Sequence, residues 1–598
     1  MKRLLVTSSI LSGFLSLLGL QVAAQPMEMD RTFRNYFRNP LNIPMQLSAN
    51  FGELRPDHWH MGLDIRTGAK ENVPVYAAAD GYIAFVGIRA QGFGRFIIIN
   101  HPNGLSTLYA HLNDFYPELE EYVTAQQYEQ ESWAVELDFS KNQFPMTKGA
   151  FIAYSGNTGG SQGPHLHFEI IETKSTKRLN PLLFNFPADD NVAPSLVKLA
   201  MYDRNKSVYA QTPVLFALKN TDSGYIIPKR QVMKTGLNKL SFAIQAHDKM
   251  SSGGSKNGIY AAKLYFDEEP QVSFVLDSIV YDERVYINAH IDYRNSGGQL
   301  QHLSQLPGSQ SPVYKLINGN GVISLPDTVV HLVSIDVLDP NGNSSKLNFY
   351  IQYDGSIPVP TAPQNQASKL VPVKTNLVEK EGFRMQLPEY ALYDTVPSWY
   401  SRNNISSFYA VTALHQVNDA SYPVHGEIIV SIKPDKIIPE SWKDKLIMQR
   451  NSRGSTIRKV RMENEWMTAK FGDFGSFQVV ADITAPQIND PESFRGGKGD
   501  TINLSAASRI VFTPSDNFGI VKKFRVEADS QWLRFTNDKS RAWIYTFDER
   551  CPYGVHELTA TATDLAGNST TKTWWFKRYP YTPPPPKAKA VKKRKKKK

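Results

Sequence analysis

The sequence predicts a mainly β protein: an antiparallel sheet domain followed by several β-sandwiches. From about Pro44 to Pro187, short β-branched and aromatic runs alternate with Gly, Asn and Pro turns, as in Val73-Pro74-Val75-Tyr76-Ala77 and Phe96-Ile97-Ile98-Ile99. The same texture continues from about Ala188 to Arg578. An internal repeat reinforces it, since Val330-His331 through Asp339-Pro340-Asn341-Gly342-Asn343-Ser344 recurs at an offset of 225 as Val555-His556 through Asp564-Leu565-Ala566-Gly567-Asn568-Ser569. Each copy reads as strand, turn, strand.

At 598 residues the chain has room for three to five domains. Residues 1–24 read as a signal peptide: Met1-Lys2-Arg3, an apolar and small-residue run from Leu4 to Leu20, then Val22-Ala23-Ala24 as a cleavage site. The sheet domain fills 25–187, and within it the polar, acidic stretch at about 115–146 reads as a helical or loop insertion. Residues 188–356 form the next β-sandwich region. Proline-rich punctuation at Ile357–Pro363 and Thr484-Ala485-Pro486 marks seams around a less regular β-rich block, 364–484, and a last sandwich occupies 485–578. Asp248 before Gly258-Ile259 and Asp516 before Gly519-Ile520 are a further feature shared by the two sandwich regions. These regions resemble the Ig-like modules appended to bacterial envelope enzymes.

The formal charge of +10 belongs to the ends of the chain. Nine positive charges lie in 587–598 and two at Lys2 and Arg3; removing these from +10 leaves −1 for residues 25–586. The basic charge therefore describes a tail and not a nucleic-acid-binding face, and no nucleic-acid partner is expected. The tail, 579–598, is expected to be extended through Pro583–Pro586 and solvated beyond it, where its lysines suit anionic envelope polymers or lipid. After signal cleavage no stretch is long and apolar enough for an integral membrane segment, so an exported protein of the periplasm, cell envelope or medium is expected. The one cysteine, Cys551, precludes an intramolecular disulfide and reads as a buried small hydrophobe.

Six of the thirteen histidines fall between His58 and His167, which directs attention there. His60-Met61-Gly62-Leu63-Asp64 offers an imidazole and a carboxylate around a glycine that lets backbone approach closely. His165-Leu166-His167 places two imidazoles on one face of a strand. His60, Asp64 and one histidine of this pair supply the three ligands of a catalytic Zn2+ site. The other, with His111, is left for proton transfer or stabilisation of the tetrahedral intermediate. No His-Glu-x-x-His pattern is present, which excludes a thermolysin-type site.

Three segments, His60-Met61-Gly62-Leu63-Asp64, Tyr109-Ala110-His111-Leu112 and Gly163-Pro164-His165-Leu166-His167-Phe168-Glu169-Ile170, resemble the signatures of the M23 (LytM/lysostaphin-type) zinc metallopeptidases. The resemblance spans roughly Phe51 to Pro181. It implies that His60, Asp64 and His167 ligate zinc and that His111 and His165 serve in catalysis, with the identity of the base left open. It further implies a metalloendopeptidase hydrolysing stem peptides or cross-links of bacterial peptidoglycan. The competing reading is a non-catalytic envelope scaffold or an activator of other wall hydrolases. His58 and His101 read as surface or supporting residues, Glu169 as a supporting residue or an outward-facing strand residue, and Arg95 and Asn72 as surface positions that could line a groove. Residues after about 188 are expected to position the enzyme and to leave a first domain able to cut small peptides alone.

Overall fold

The computed structural model describes residues 35–186, 190–250, 255–294, 299–359, 368–404, 407–494 and 501–583. The expected signal peptide, residues 1–24, lies outside the described residues, as do residues 584–598 of the tail and 360–363 of the Ile357–Pro363 seam.

The first domain is built on a large antiparallel sheet. Its strands are β1 (Leu47–Ala49), β2 (Leu63–Arg66), β4 (Gly81–Ile88), β5 (Arg95–Asn100), β6 (Leu105–Ala110), β8 (Val135–Asp138) and β11 (His165–Glu172), in the spatial order β1-β2-β11-β6-β5-β4-β8. A smaller sheet, β3 (Pro74–Tyr76), β10 (Phe151–Ser155) and β7 (Leu112–Phe115), completes it, in the order β3-β10-β7. β-Branched runs such as Ile97-Ile98-Ile99 suit these pleated, half-buried surfaces. Val75, Ile97, Ile152 and Leu166 are all fully buried in the core between the sheets.

The 115–146 stretch contains the expected helix, α1 (Pro117–Glu129), started by a proline in its first turn. It is not only an insertion: β8 and β9 (Pro145–Met146) both pair with β4 and extend the main sheet.

Beyond residue 190, a five-stranded and an eight-stranded sheet face one another, with Phe242 against Phe349 at 5.4 Å between ring centroids. Residues 369–481 hold two five-stranded sheets plus a two-stranded ribbon, and residues 501–578 a five-stranded and a two-stranded sheet. The repeat appears as two long hairpins, Val330–Leu338 with Ser344–Tyr353 and Gly554–Asp564 with Ser569–Arg578. Some pairs in these later sheets are parallel: Gly224–Ile226 and Val232–Thr235 run parallel to Ser344–Tyr353, and Thr501–Asn503 runs parallel to Ser569–Arg578. Alternation of apolar and polar residues fixes which face a strand buries and carries no information on its direction. Cys551 is fully buried and unpaired, as its composition suggested.

Candidate metal and catalytic centre

β2 and β11 are neighbours in register, with His167 opposite Asp64, and this pairing brings the two distant sequence segments together. His60 enters from the loop before β2. Its Nε2 lies 3.0 Å from Asp64 Oδ1 and 3.1 Å from His167 Nδ1, and His167 Nδ1 lies 2.9 Å from Asp64 Oδ1. Three donor atoms thus converge on one point, and all three residues are buried. A Cβ on Gly62 would stand 2.6 Å from the Phe168 carbonyl oxygen and 2.8 Å from His167 Cε1, so the glycine between the two ligand candidates is required by close packing.

His111 sits where β6 of the large sheet becomes β7 of the small one. Its backbone takes the left-handed conformation, φ 60°, costly for a non-glycine residue, and this corner turns its ring against His165 at 4.8 Å and His167 at 5.9 Å. His111 Nδ1 is 2.9 Å from the Thr158 carbonyl, and His165 Nδ1 is 2.8 Å from the Gly163 carbonyl and 3.2 Å from Ser161 Oγ. The Thr158 contact assigns the proton of His111 to Nδ1 and leaves its Nε2 as the basic nitrogen, while His165 sets Nδ1 on the Gly163 carbonyl and turns Nε2 toward Asp64. His165 Nε2 stands 3.4 Å from Asp64 Oδ1. The five sequence-predicted residues therefore share one site.

Its electrostatics are strongly coupled. Burial opposes ionisation of Asp64, but the His60 charge and hydrogen bonds from His165, His167 and His60 outweigh it and hold the carboxyl well below the usual range. Burial, followed by the His167 and His165 charges, pushes His111 down to about 3, so it is neutral near pH 7. For His167, burial is outweighed by hydrogen bonds to Asp64 and Glu169, which raise it to about 9. Without a cation a proton occupies that place, and metal binding must displace it.

Glu169, for which two placements were open, is 1% exposed and accepts from His167 Nε2 at 3.0 Å and from Arg178 Nε at 3.1 Å. The i, i+2 spacing of His165, His167 and Glu169 was the signal for it. His58 turns to Asp57 at 2.6 Å. His101 is buried between the Asp80 carbonyl, 2.7 Å, and Thr107 Oγ1, 2.9 Å. Arg95 does not line the groove; it is tied to Glu120 of α1 and to the Asn113 carbonyl, while Asn72 accepts from Asn113 Nδ2.

The centre lies in a groove of about 1250 Å³ whose walls include Arg55, Phe93, Tyr281 and Arg284. The last two come from beyond residue 190, so the groove is not walled by the first domain alone. Phe51, Trp59 and Met61, flanking His60, are buried in the core of the following domains. His60 Nδ1 is held by the Asn50 carbonyl at 2.8 Å, and Asn50 exchanges two 2.9 Å hydrogen bonds with the Gly258 backbone. Tyr281 packs on Arg178, the partner of Glu169, at 5.2 Å.

The last domain also reaches the site. Asp538 accepts from the Gly159 N–H at 2.7 Å, Lys539 N–H donates to the Ala90 carbonyl at 2.8 Å, and Lys539 Nζ donates to the Ser161 carbonyl. The 158–161 loop that it grips is the one that orients His111 and His165. Arg534 donates to Gln127 Oε1 of α1 at 2.7 Å, and Arg525 pairs with Glu131 at 2.6 Å. No sequence pattern pointed to Lys539 or Tyr281.

Residues 58–128 match the model of peptidase family M23, and residues 368–482 match a Zu5-like domain. Over 111 residues the chain is 36% identical to the DD-carboxypeptidase/endopeptidase Mpg of Neisseria meningitidis serogroup B, covering 19% of this chain and 20% of that one. The peptidoglycan DD-endopeptidase ShyA of Vibrio cholerae is 26% identical over 170 residues, 27% of this chain and 32% of its own. The catalytic domain of lysostaphin from Staphylococcus simulans is 23% identical, over 24% of this chain and 92% of that one, with a TM-score of 0.18. The chain thus spans about a fifth to a third of the length of these curated relatives. The match to the family M23 model thus falls on the segment that carries His60, Asp64 and His111.

Proposed function

We propose that this chain is a zinc metalloendopeptidase that hydrolyses stem-peptide or cross-link bonds of bacterial peptidoglycan. The observation that carries this is the convergence of His60 Nε2, Asp64 Oδ1 and His167 Nδ1 in an open groove, with two further histidines alongside. Tetrahedral zinc with ligand bonds near 2.0–2.1 Å sets neighbouring donor atoms about 3.3 Å apart, close to the separations here, and two imidazoles with a carboxylate suit zinc over harder cations. The name of the Vibrio relative, a peptidoglycan DD-endopeptidase, supports peptidoglycan as the substrate.

His60, Asp64 and His167 hold the ion in this reading, and when bound it supplies a Lewis acid that polarises the scissile carbonyl and acidifies water. His111 and His165 lie beside the same space, one to accept the proton of the attacking water and the other to stabilise the oxyanion or return a proton to the leaving amine. Glu169 fixes the orientation of His167. The domains after 190, Ig-like in the sandwiches, hold this centre together, and the lysine tail adds attraction to anionic envelope surfaces after export.

Metal analysis of the purified chain separates enzyme from scaffold: the enzyme takes up one zinc, whereas less than about a tenth of an equivalent, not restored by added zinc, gives the scaffold. His111→Ala and His165→Ala are expected to keep zinc and to lose about 10²-fold or more in rate. Near-normal turnover by either variant removes that residue from the chemistry. Glu169→Gln is expected to weaken zinc about 10–100-fold, measured by competition with a chelator.

A further inference from the structure

Two acidic clusters lie outside the catalytic centre, one in each sandwich that carries the long hairpin repeat. Asp190, Asp248 and Asp339 bring carboxylate oxygens within 4.8 Å of one another, and Asp482, Asp516 and Asp564 do the same. The clusters are built alike. Asp190 and Asp482 precede their sandwiches in similar stretches, Asp190-Asn191-Val192-Ala193-Pro194 and Asp482-Ile483-Thr484-Ala485-Pro486. Asp339 and Asp564 open the hairpin turns, each accepting from a backbone N–H at 2.8 Å, that of Asn343 and Asn568 respectively. The side-chain amides of these asparagines reach the carbonyls of Asp190 and Asp482.

We propose that each triad is a binding site for a calcium ion that fastens the segment leading into a sandwich to the turn of its long hairpin. Asp248 is 2% exposed, and its Oδ1 has no hydrogen-bond partner. Asp516 is half-buried; its Oδ1 is shielded without a partner, while its Oδ2 accepts from the Phe518 N–H at 2.8 Å. A buried carboxylate oxygen left unpaired is expensive, and two like-charged neighbours increase that cost. Burial and then the charges of Asp190 and Asp339 push Asp248 up, against a hydrogen bond from the Lys249 backbone N–H. A divalent cation removes both penalties at once. Carboxylates without nitrogen or sulfur donors select hard cations. Irregular oxygen ligation at loop ends suits calcium, whose coordination is flexible, over magnesium, which demands a near-ideal octahedron. The asymmetry of the triads fits a fastening role, since one acid comes from the preceding segment and two from the sandwich.

Calcium titration of the full chain by calorimetry tests this, with zinc kept saturating so that the histidine centre does not contribute. The expected result is two calcium ions per chain, with dissociation constants of about 10⁻³ M or tighter. Asp248→Asn removes one ion and Asp516→Asn the other, each with at least about a tenfold loss of affinity at its own site. Calcium also raises the unfolding temperature of the wild type and leaves that of the double variant unchanged. No uptake by the wild type, or two ions still bound by a folded double variant, overturns the proposal. Should Asp248→Asn fail to fold in calcium-free buffer, Asp339→Asn tests the same triad, and a retained full stoichiometry there counts equally against it.

Discussion

Alanine at His60, Asp64 or His167 is expected to abolish hydrolysis together with metal binding. Each of the three donors contributes to one convergent point, and with one removed the remaining two hold an ion poorly while the groove stays open to water. The loss should exceed that of the His111 and His165 variants, because it takes away the Lewis acid together with the activated water. Metal content and circular dichroism on the same preparations check it: folded protein with less than about a tenth of an equivalent of zinc is the expected outcome. Normal zinc occupancy in all three variants would show that these residues are not the ligands.

A chain ending at Pro187 is expected to lose zinc and activity even on a small soluble peptide. Removal of the later domains exposes Phe51, Trp59 and Met61, and a fully buried tryptophan alone is worth about 3–5 kcal/mol. It also strips Asn50 of Gly258, Arg178 of Tyr281, and the 158–161 loop of Asp538 and Lys539. Each of the four histidines of the centre thereby loses a support, His60 through Asn50, His167 through Glu169 and Arg178, and His111 and His165 through the 158–161 loop. Zinc affinity and peptide turnover of the truncated chain, against the full chain, measure this. A truncated chain that is folded, zinc-loaded and fully active on the small peptide would confine the later domains to targeting. A milder form of the same test is Lys539→Ala, which leaves the domains intact and should lower turnover more than zinc content.

The centre was legible because its chemistry is local: a His-x-x-x-Asp segment, a His-x-His strand and a lone histidine at a strand end are each visible within a few residues. Their union depends on β11 pairing with β2 on one side and with β6 on the other, and runs of strand-forming residues announce these strands. What supports the centre was illegible for the opposite reason. Trp59 and Met61 read as core residues in any β protein, and nothing in their spacing says that the core belongs to the next domain. Helix α1 was indistinct because the residues it buries, Leu119, Val123 and Gln127, include a glutamine, whose amide is satisfied by the Trp133 carbonyl. The short strands after it, Val135–Asp138 and Pro145–Met146, were hidden within a polar stretch. Asp248 and Asp516 stood out as a shared feature, yet only the fold shows that each meets two other carboxylates.

The central claim, a metal-dependent peptidase acting on peptidoglycan, is tested most directly by incubating the zinc-loaded full chain with purified sacculi and weighing the released fragments by mass spectrometry. The account predicts fragments with new amino and carboxyl ends at peptide bonds of the stem or cross-link, formed with wild-type protein, absent with Asp64→Ala and suppressed by a zinc chelator. Intact sacculi after treatment with zinc-loaded wild type, or the same fragments from Asp64→Ala, would contradict it.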